Sequence, residues 1–419
     1  MFYLRVIAAT VVAIVLWVVF VGFGALNGWW NDAIAPAGNT RLFMDAAVEI
    51  IETKNRGNVA LVLIRNGEVF DEHYAGIEGN IGRDTMFQTA SMSKWITANG
   101  VMNLVQAGNL DLDRPISDYL TRWQLPQSEF DNDKVTVRLL LSHMSGLTDG
   151  LGFGDYGPEE AVPTLEESLS RPRASGEREV EIKLGLEPGT EFSYSGGGYL
   201  VLQLLIEEIS GEGFEGYFQR AMFEPLGMSR STFGYIAELD NISNSYDADG
   251  KPATLYQFAA KGATGFATSA ADMTRFVQSQ LASDGSAYLL QQDTVDAMRE
   301  PHASAFGADI WGLGTILYAP TESGAYVYGH DGQNEPAINA AVRINPDTGD
   351  ALISFVSGGQ SLATALGYEW VMWQTGRPDV LHIGAVIRDA IPMFLIGNVL
   401  ILLLAVARVW WRRRRTIAK

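Results

Sequence analysis

Two residues one helical turn apart, Ser91 and Lys94, are the first candidates for chemistry in this sequence. Positions i and i+3 share a face of a helix, so the serine hydroxyl and the lysine amine can meet. A serine hydroxyl is a poor nucleophile until a base takes its proton, and a lysine is such a base when burial lowers the pKa of its amine. The N-terminus of the same helix offers backbone N–H groups to an oxyanion. The pair is a candidate for attack on a carbonyl, although the spacing alone favours a helix N-cap serine followed by a snorkelling surface lysine.

Local patterns predict the elements that hold this pair. Residues 39–53 and 92–105 carry apolar side chains at helical spacing. Residues 59–64 and 69–74 are strand-like, and the Arg-Asn-Gly sequence at 65–67 is a strong hairpin signal between them. The apolar positions of the second helix supply the burial that the lysine needs.

More strands are predicted towards the C-terminal end, at residues 311–318, 325–328, 337–344 and 351–356. The Asn-Pro-Asp-Thr-Gly sequence at 345–349 turns the last pair, and residues 361–373 form a closing helix. Strands at both ends and a helix-rich middle, about 107–300, imply one antiparallel sheet assembled from distant segments and a second, helical lobe. The cleft between the lobes is the expected place for a site.

Composition excludes several classes of protein. The chain has 419 residues, 47% hydrophobic and 19% charged, which is enough for a large core and unlike a disordered chain. It has no cysteine, so disulfides and thiolate nucleophiles are ruled out. The formal net charge of −19 argues against a nucleic-acid partner, because attraction to phosphates needs a basic face.

Both ends of the chain predict membrane spans. Residues 6–26 and 390–409 are apolar stretches of the length, about 20 residues, that crosses a bilayer. A tryptophan pair follows each stretch, at 29–30 and 410–411, and four arginines occupy 412–415. Because arginine clusters stay in the cytoplasm, both termini are predicted to be cytoplasmic and the central part extracytoplasmic. The alternative for the first stretch is a cleaved signal peptide.

Several motifs together resemble one family. The Phe-Gln-Thr-Ala-Ser-Met-Ser-Lys sequence at 87–94 resembles the nucleophile helix of the serine β-lactamase and penicillin-binding-protein superfamily, and most closely its branch of class C β-lactamases, D-aminopeptidases and esterases. Further segments follow in that family's order, at 107–115, 140–147, 187–195, 225–228, 311–314 and 329–332. The resemblance implies an α+β fold of the β-lactamase/transpeptidase type, with a central antiparallel sheet flanked by helices, a helical lobe and the two terminal spans added.

The resemblance also implies catalytic roles. Ser91 would be the acylated nucleophile, Lys94 its neighbouring base or proton shuttle, and Tyr194 the second acid or base. The family leaves open which of Lys94 and Tyr194 takes the first proton. A tyrosine titrates near pH 10 unless cationic neighbours lower its pKa, and we expect Lys94 and His330 to do so. Without the resemblance, Tyr194 would be interpreted as a loop aromatic in a turn.

Two backbone N–H groups, those of Ser91 and Gln333, would form the oxyanion hole by the same resemblance. His330, Gly332 and Ser195 would contact the substrate, a small-molecule or peptidoglycan-derived ester or amide. No metal ion or organic cofactor is implied. The bilayer is the other expected partner, and the oligomeric state stays open.

Two positions depart from the family pattern. Gly196 stands where the family usually has an asparagine that binds the substrate amide, and His330 stands where β-lactamases have a lysine. A histidine is largely neutral at pH 7 and holds a carboxylate less firmly. Both changes favour an esterase or a D-amino-acid peptidase over a dedicated β-lactamase, and a non-catalytic binding or sensory module of the same fold is the alternative. His143 is expected to be structural rather than a triad base.

The predicted domains follow from these patterns. They are a transmembrane anchor or signal peptide at 1–30, the serine hydrolase domain at 31–385, a transmembrane helix at 386–411 and a basic cytoplasmic tail at 412–419.

Overall fold

The computed structural model describes residues 1–77, 79–150, 155–173, 180–281, 289–305, 307–334, 337–359 and 361–417. The helices are α1 Phe2–Leu26, α2 Thr40–Lys54, α3 Ser93–Gln106, α4 Val137–Leu141, α5 Leu165–Ser170, α6 Gly196–Ser210, α7 Phe214–Phe218, α8 Glu224–Leu226, α9 Lys261–Thr264, α10 Ala270–Leu281, α11 Gln292–Arg299, α12 Leu362–Thr375 and α13 Ile383–Ile417. The strands are β1 Asn58–Arg65, β2 Glu68–Ala75, β3 Met86–Gln88, β4 Asp155–Tyr156, β5 Ser231–Thr232, β6 Ser245–Tyr246, β7 Pro252–Ala253, β8 Gln257–Phe258, β9 Ala267–Ser269, β10 Ala303–Ala305, β11 Ala308–Trp311, β12 Ile316–Pro320, β13 Tyr326–Asn334, β14 Ile338–Asn345 and β15 Asp350–Ser357.

One eight-stranded sheet forms the frame of the molecule. Its order is β10-β11-β12-β13-β14-β15-β1-β2, so the N-terminal hairpin adds to the C-terminal strands through the antiparallel β1–β15 pair. Asn66 and Gly67 take positive φ values of 51° and 80°, as a two-residue hairpin turn of this type requires. The predicted sheet of distant segments is confirmed.

The central strands of the sheet are buried on both faces, whereas the edge strand β2 is partly exposed. Alternate residues of β1 enter different cores, with Ala60 and Val62 on one side and Val59 and Leu61 on the other. The first core is shared with α3, α6 and α10, and the second with α2 and α12. This explains why β1 has a continuous apolar sequence rather than an alternating one.

One strand prediction is wrong. Residues 311–318 are not a single strand, because β11 ends at Trp311 and β12 begins at Ile316. Between them Gly314 has φ +76°, and a Cβ there would lie 2.2 Å from the Cβ of Ala98 in α3. The chain turns at this glycine because it must pass closely over the helix that follows the serine.

The middle of the chain builds a second lobe, as predicted. It contains α4 to α9, and a three-stranded sheet of order β3-β9-β5 joins it to the segment before Ser91. The helix predicted at 92–105 is α3, preceded by a 3₁₀ turn over Ala90–Met92.

Within the described part of the chain, two helices are long and apolar enough to cross a membrane, Phe2–Leu26 and Val386–Arg415 within α13. They lie against each other. The indole N–H of Trp17 donates to the carbonyl of Met393 at 3.2 Å, and the Trp17 ring packs directly over Gly397. Residues 418–419 of the predicted basic tail lie outside the described residues.

Candidate active site

Ser91 lies in a tight turn at the entrance to α3. The turn begins after β3, and Ala90 adopts φ +46°, a left-handed conformation that costs a residue with a Cβ free energy. Two hydrogen bonds hold it: the Ser93 hydroxyl donates to the Ala90 carbonyl at 2.6 Å and accepts the Phe266 N–H at 2.8 Å. This strained turn places the half-buried Ser91 hydroxyl at the start of a helix.

Lys94 projects back from the first turn of α3 towards Ser91. Its Nζ lies 3.3 Å from Ser91 Oγ and 2.9 Å from the carbonyl oxygen of Ala263. The residue has 0% exposure. Burial lowers the pKa of the amine to about 7, and the negative charge of Asp149 opposes this shift. A substantial fraction of the amine is therefore neutral at pH 7.

Tyr194 approaches from the turn before α6. The Nζ of Lys94 is 4.9 Å from the centre of the Tyr194 ring. The expected lowering of the phenol's pKa is wrong: burial raises it, the charge of Asp331 raises it further, and a hydrogen bond with the Ser91 hydroxyl opposes the shift only in part. The predicted cations have no such effect because His330 is neutral and Lys94 is partly so, which leaves Tyr194 a protonated donor at neutral pH.

Strand β13 closes the site on its other side. A Cβ at Gly332 would lie 1.8 Å from the carbonyl oxygen of Thr89 and 3.2 Å from the amide nitrogen of Met92. The glycine therefore permits backbone contact between β13 and the serine turn. The next residue, Gln333, has an exposed side chain, and the place of its backbone N–H in an oxyanion hole with that of Ser91 stays a prediction.

His330 is buried two residues before Gly332. Its Nδ1 is 2.5 Å from the Asp331 carbonyl oxygen, and its Nε2 has no hydrogen-bond partner among the described residues. Burial lowers the pKa of the ring to about 3. The ring stands edge-on to Trp311 with centroids 5.5 Å apart. The residue is 1% exposed, so the predicted contact of His330 with substrate stays a prediction.

Ser195 has a different role from the predicted substrate contact. Its hydroxyl accepts the Gly198 N–H at 2.8 Å and donates to Oδ1 of Asp149 at 2.5 Å. Ser195 is thus the N-cap of α6 and is 1% exposed. Gly196, at the position of the family's asparagine, is the first residue of the helix and offers no side chain.

Sequence reasoning missed Asp149 entirely. The residue is 5% exposed, and its Oδ2 accepts the Gly197 N–H at 3.0 Å. A Cβ on Gly197 would lie 3.0 Å from the Asp149 carboxylate. The run of glycines at 196–198 was the available signal, because it permits the close approach of another chain segment.

His143 stacks on Tyr194 with ring centroids 4.3 Å apart, and its Nδ1 accepts the Ser195 N–H at 3.1 Å. Burial lowers its pKa, and the positive charge of Lys94 acts in the same direction. The expected structural role fits these contacts.

Known proteins share sequence similarity with most of this chain. The family model described as Beta-lactamase matches residues 43–376. Penicillin-binding protein 4 of Amycolatopsis lactamdurans is 27% identical over 293 residues, 66% of this chain and 73% of that protein. The putative penicillin-binding protein PbpX of Bacillus subtilis is 27% identical over 263 residues, but the match spans only 59% of its length.

A solved structure shows the same architecture. The octameric penicillin-binding protein homologue of Pyrococcus abyssi aligns with a TM-score of 0.63 and 22% identity, over 80% of this chain and 78% of that one. The fold and the family model together define the class: a β-lactamase-type domain with apolar helices at both ends. The chain belongs to the beta-lactamase family, and the predicted resemblance is confirmed.

Proposed function

We propose that this protein is a membrane-anchored serine hydrolase that cleaves an ester or amide through an acyl-enzyme on Ser91. The observation that carries the proposal is the 3.3 Å contact between Ser91 Oγ and a fully buried Lys94 amine whose pKa is about 7. A neutral amine at this distance can accept the serine proton. The 0% exposure of Lys94 weighs against the alternative of a surface lysine.

The proton steps follow from the two pKa directions. Lys94 takes the proton of Ser91 as Oγ attacks the substrate carbonyl, and the oxyanion is bound by the N–H groups of Ser91 and Gln333. Tyr194 donates its proton to the leaving group as the ester or amide bond breaks, and the protonated Lys94 returns a proton to the Tyr194 oxygen. Water then attacks the acyl group while the neutral Lys94 accepts one of its protons. The Ser91 ester bond breaks, and Lys94 passes that proton to the serine oxygen.

The substrate class follows from what surrounds Ser91. Gly196 supplies no side-chain amide, and the buried, neutral His330 supplies no positive charge for a carboxylate. We therefore favour simple esters or D-amino-acid derivatives over β-lactams, and a peptidoglycan-derived substrate is compatible with an extracytoplasmic site.

Covalent labelling tests the proposal. A fluorophosphonate probe is expected to label the wild-type chain, and Ser91→Ala is expected to abolish labelling. Ser304→Ala is the matched control, because Ser304 lies exposed on the edge strand β10. An unlabelled wild type, or a labelled Ser91→Ala, would overturn the assignment. Turnover of short-chain esters, D-amino-acid amides and nitrocefin then identifies the substrate class.

The membrane topology is part of the same proposal. Both apolar helices span the cell membrane, the termini face the cytoplasm, and the domain between them lies outside. Support comes from the length and apolar composition of the two helices and from the arginines at 412–415. Protease added to spheroplasts should digest the central domain. Full protection of that domain would show that it lies on the cytoplasmic side and would overturn the proposed orientation.

Gly196 supports one second candidate, an acylated but non-hydrolytic sensor of the same fold. Stoichiometric labelling of Ser91 without turnover of any ester or amide would favour that function.

A further inference from the structure

The catalytic proposal makes no use of a buried carboxylate that lies behind Tyr194. The segment after α4 runs alongside the turn that carries the tyrosine. The Ser193 N–H donates to the His143 carbonyl at 2.9 Å, and the Ser193 hydroxyl donates to the Leu147 carbonyl at 2.7 Å. Asp149 ends this series of contacts by accepting from the Ser195 hydroxyl and the Gly197 N–H, on either side of the start of α6.

Asp149 accepts hydrogen bonds that stabilise its carboxylate. Burial nevertheless raises its pKa above the usual range of an aspartic acid, and the hydrogen bonds from Ser195, from Gly197 and from its own backbone N–H limit that rise. Its oxygens meet donors at the N-terminus of the 15-residue helix α6, where the helix dipole stabilises negative charge.

Among the residues that the structure describes, Asp149 is the one acid whose charge acts on the Lys94 amine. The other titratable groups facing the amine are His143, His330, Tyr194 and Tyr199. Burial lowers the pKa of each of these histidines and raises the pKa of each of these tyrosines, so all four are neutral at pH 7. The lysine thus has one buried counter-charge, and it is held on the segment that positions Tyr194.

We propose that Asp149 is a positioning residue with two effects: it fixes the turn that carries Tyr194, and its charge increases the protonated fraction of the Lys94 amine. This inference rests on the proposed function, since it assigns the electrostatic control of the same site. Asp149 does not reach Ser91 or the substrate, and it acts through Lys94 and Tyr194.

The test compares two conservative variants of the full-length chain in detergent. Asp149→Asn removes the charge and keeps the shape. Asp272→Asn is the matched control, because Asp272 is 1% exposed and likewise accepts from a serine hydroxyl, Ser231 at 2.9 Å, and a backbone N–H, Arg230 at 2.6 Å. The first readout is the pH dependence of the fluorophosphonate labelling rate. The second is the ¹³C NMR titration of Lys94 in lysine-labelled protein, assigned with Lys94→Arg.

Asp149→Asn is expected to move the acid limb of the labelling profile and the Lys94 titration to lower pH, because a positive charge loses its counter-charge. It is also expected to lower the plateau rate about tenfold or more, because Tyr194 is less well placed. Asp272→Asn should leave both midpoints at the wild-type pH. An Asp149→Asn variant with unchanged midpoints would reduce Asp149 to a structural residue and overturn the inference. If the wild type does not label at all, the proposed function fails, and the NMR midpoints still decide the effect of Asp149 on Lys94.

Discussion

The basicity of Lys94 comes from its burial. Desolvation of the amine is the larger influence on its pKa, and the opposing charge of Asp149 is the smaller one. The apolar positions of 92–105 allowed this burial to be predicted from sequence. The counter-charge was not predictable, because Asp149 is 55 residues away in the chain and reaches the site only through the fold.

The acid limb of the pH profile of the labelling rate should reflect the titration of the Lys94 amine. Only the neutral amine accepts the Ser91 proton, so the labelling rate is expected to rise with pH through about 7 and to fall about tenfold for each pH unit well below it. The measurement is the second-order labelling rate between pH 5 and pH 10.

Lys94→Arg is the control for this profile, because a guanidinium stays protonated throughout this range. It should label at least a hundredfold more slowly at every pH. A wild-type profile that rises only near pH 10 or above would instead identify the Tyr194 phenolate as the base, since burial raises the pKa of that phenol.

At the scale of elements, short sequence patterns correctly predicted those helices, strands and turns that are determined by interactions between residues close in sequence. The hairpin at 65–67, the helix at 92–105 and the strands on either side of 345–349 all occur, because turn chemistry and apolar periodicity act over a few residues. The break within 311–318 was missed, since it depends on the contact of Gly314 with Ala98 in a distant helix. That the predicted site residues belong to one site was inferred from the order of the family's motifs along the chain. Local sequence patterns contain no information on such long-range proximity.

Strand β13 must approach the serine turn without a side chain between them. Gly332→Ala would place a Cβ against the Thr89 carbonyl, and backbone cannot give way as a flexible side chain does. We expect the variant to label about a hundredfold more slowly, because a displacement of about 1 Å in such a site has effects of that size.

Gly216→Ala is the matched control for this change, since a Cβ at Gly216 in α7 has no atom within 4 Å. It should label at the wild-type rate. A Gly332→Ala variant with wild-type labelling would show that the contact between β13 and the turn is not needed to assemble the site.

On the scale of the whole molecule, a buried ion network joins the sheet to the segment before α13. Arg343 of β14 has 0% exposure, binds Asp331 beside the site, and contacts Asp379 at 3.2 Å. The other oxygen of Asp379 accepts the Leu381 N–H at 2.9 Å, two residues before α13 begins. The segment that leads into α13 is therefore tied to β14, the strand that follows β13.

Removing one partner of this network should be costly, because it leaves part of a buried charge unpaired. Asp379→Asn is expected to lower the free energy of unfolding by about 3 kcal/mol. Asp113→Asn removes an exposed pair with Arg138 and should cost less than about 1 kcal/mol. Thermal unfolding of both variants in the same detergent checks this, and equal shifts of Tm would contradict the buried network as a stabilising link.

The pairing of α1 with α13 bears on whether the first helix is a cleaved signal peptide. Val21 and Ala390 pack in one apolar cluster, and the Asn31 amide donates to the Asp389 carboxylate at 2.6 Å just beyond the ends of the apolar stretch. From these contacts we expect α1 to remain part of the mature protein. Because the native chain has no cysteine, the variant Val21→Cys/Ala390→Cys should be cross-linked within one chain by a short bismaleimide in membranes.

The control variant is Val19→Cys/Ala390→Cys. Its first thiol lies on the predicted lipid-facing side of α1, where Val19 is 63% exposed, and it should cross-link far less. Absence of the cross-link, together with an intact mass lacking the first helix, would establish cleavage and leave α13 as the single anchor.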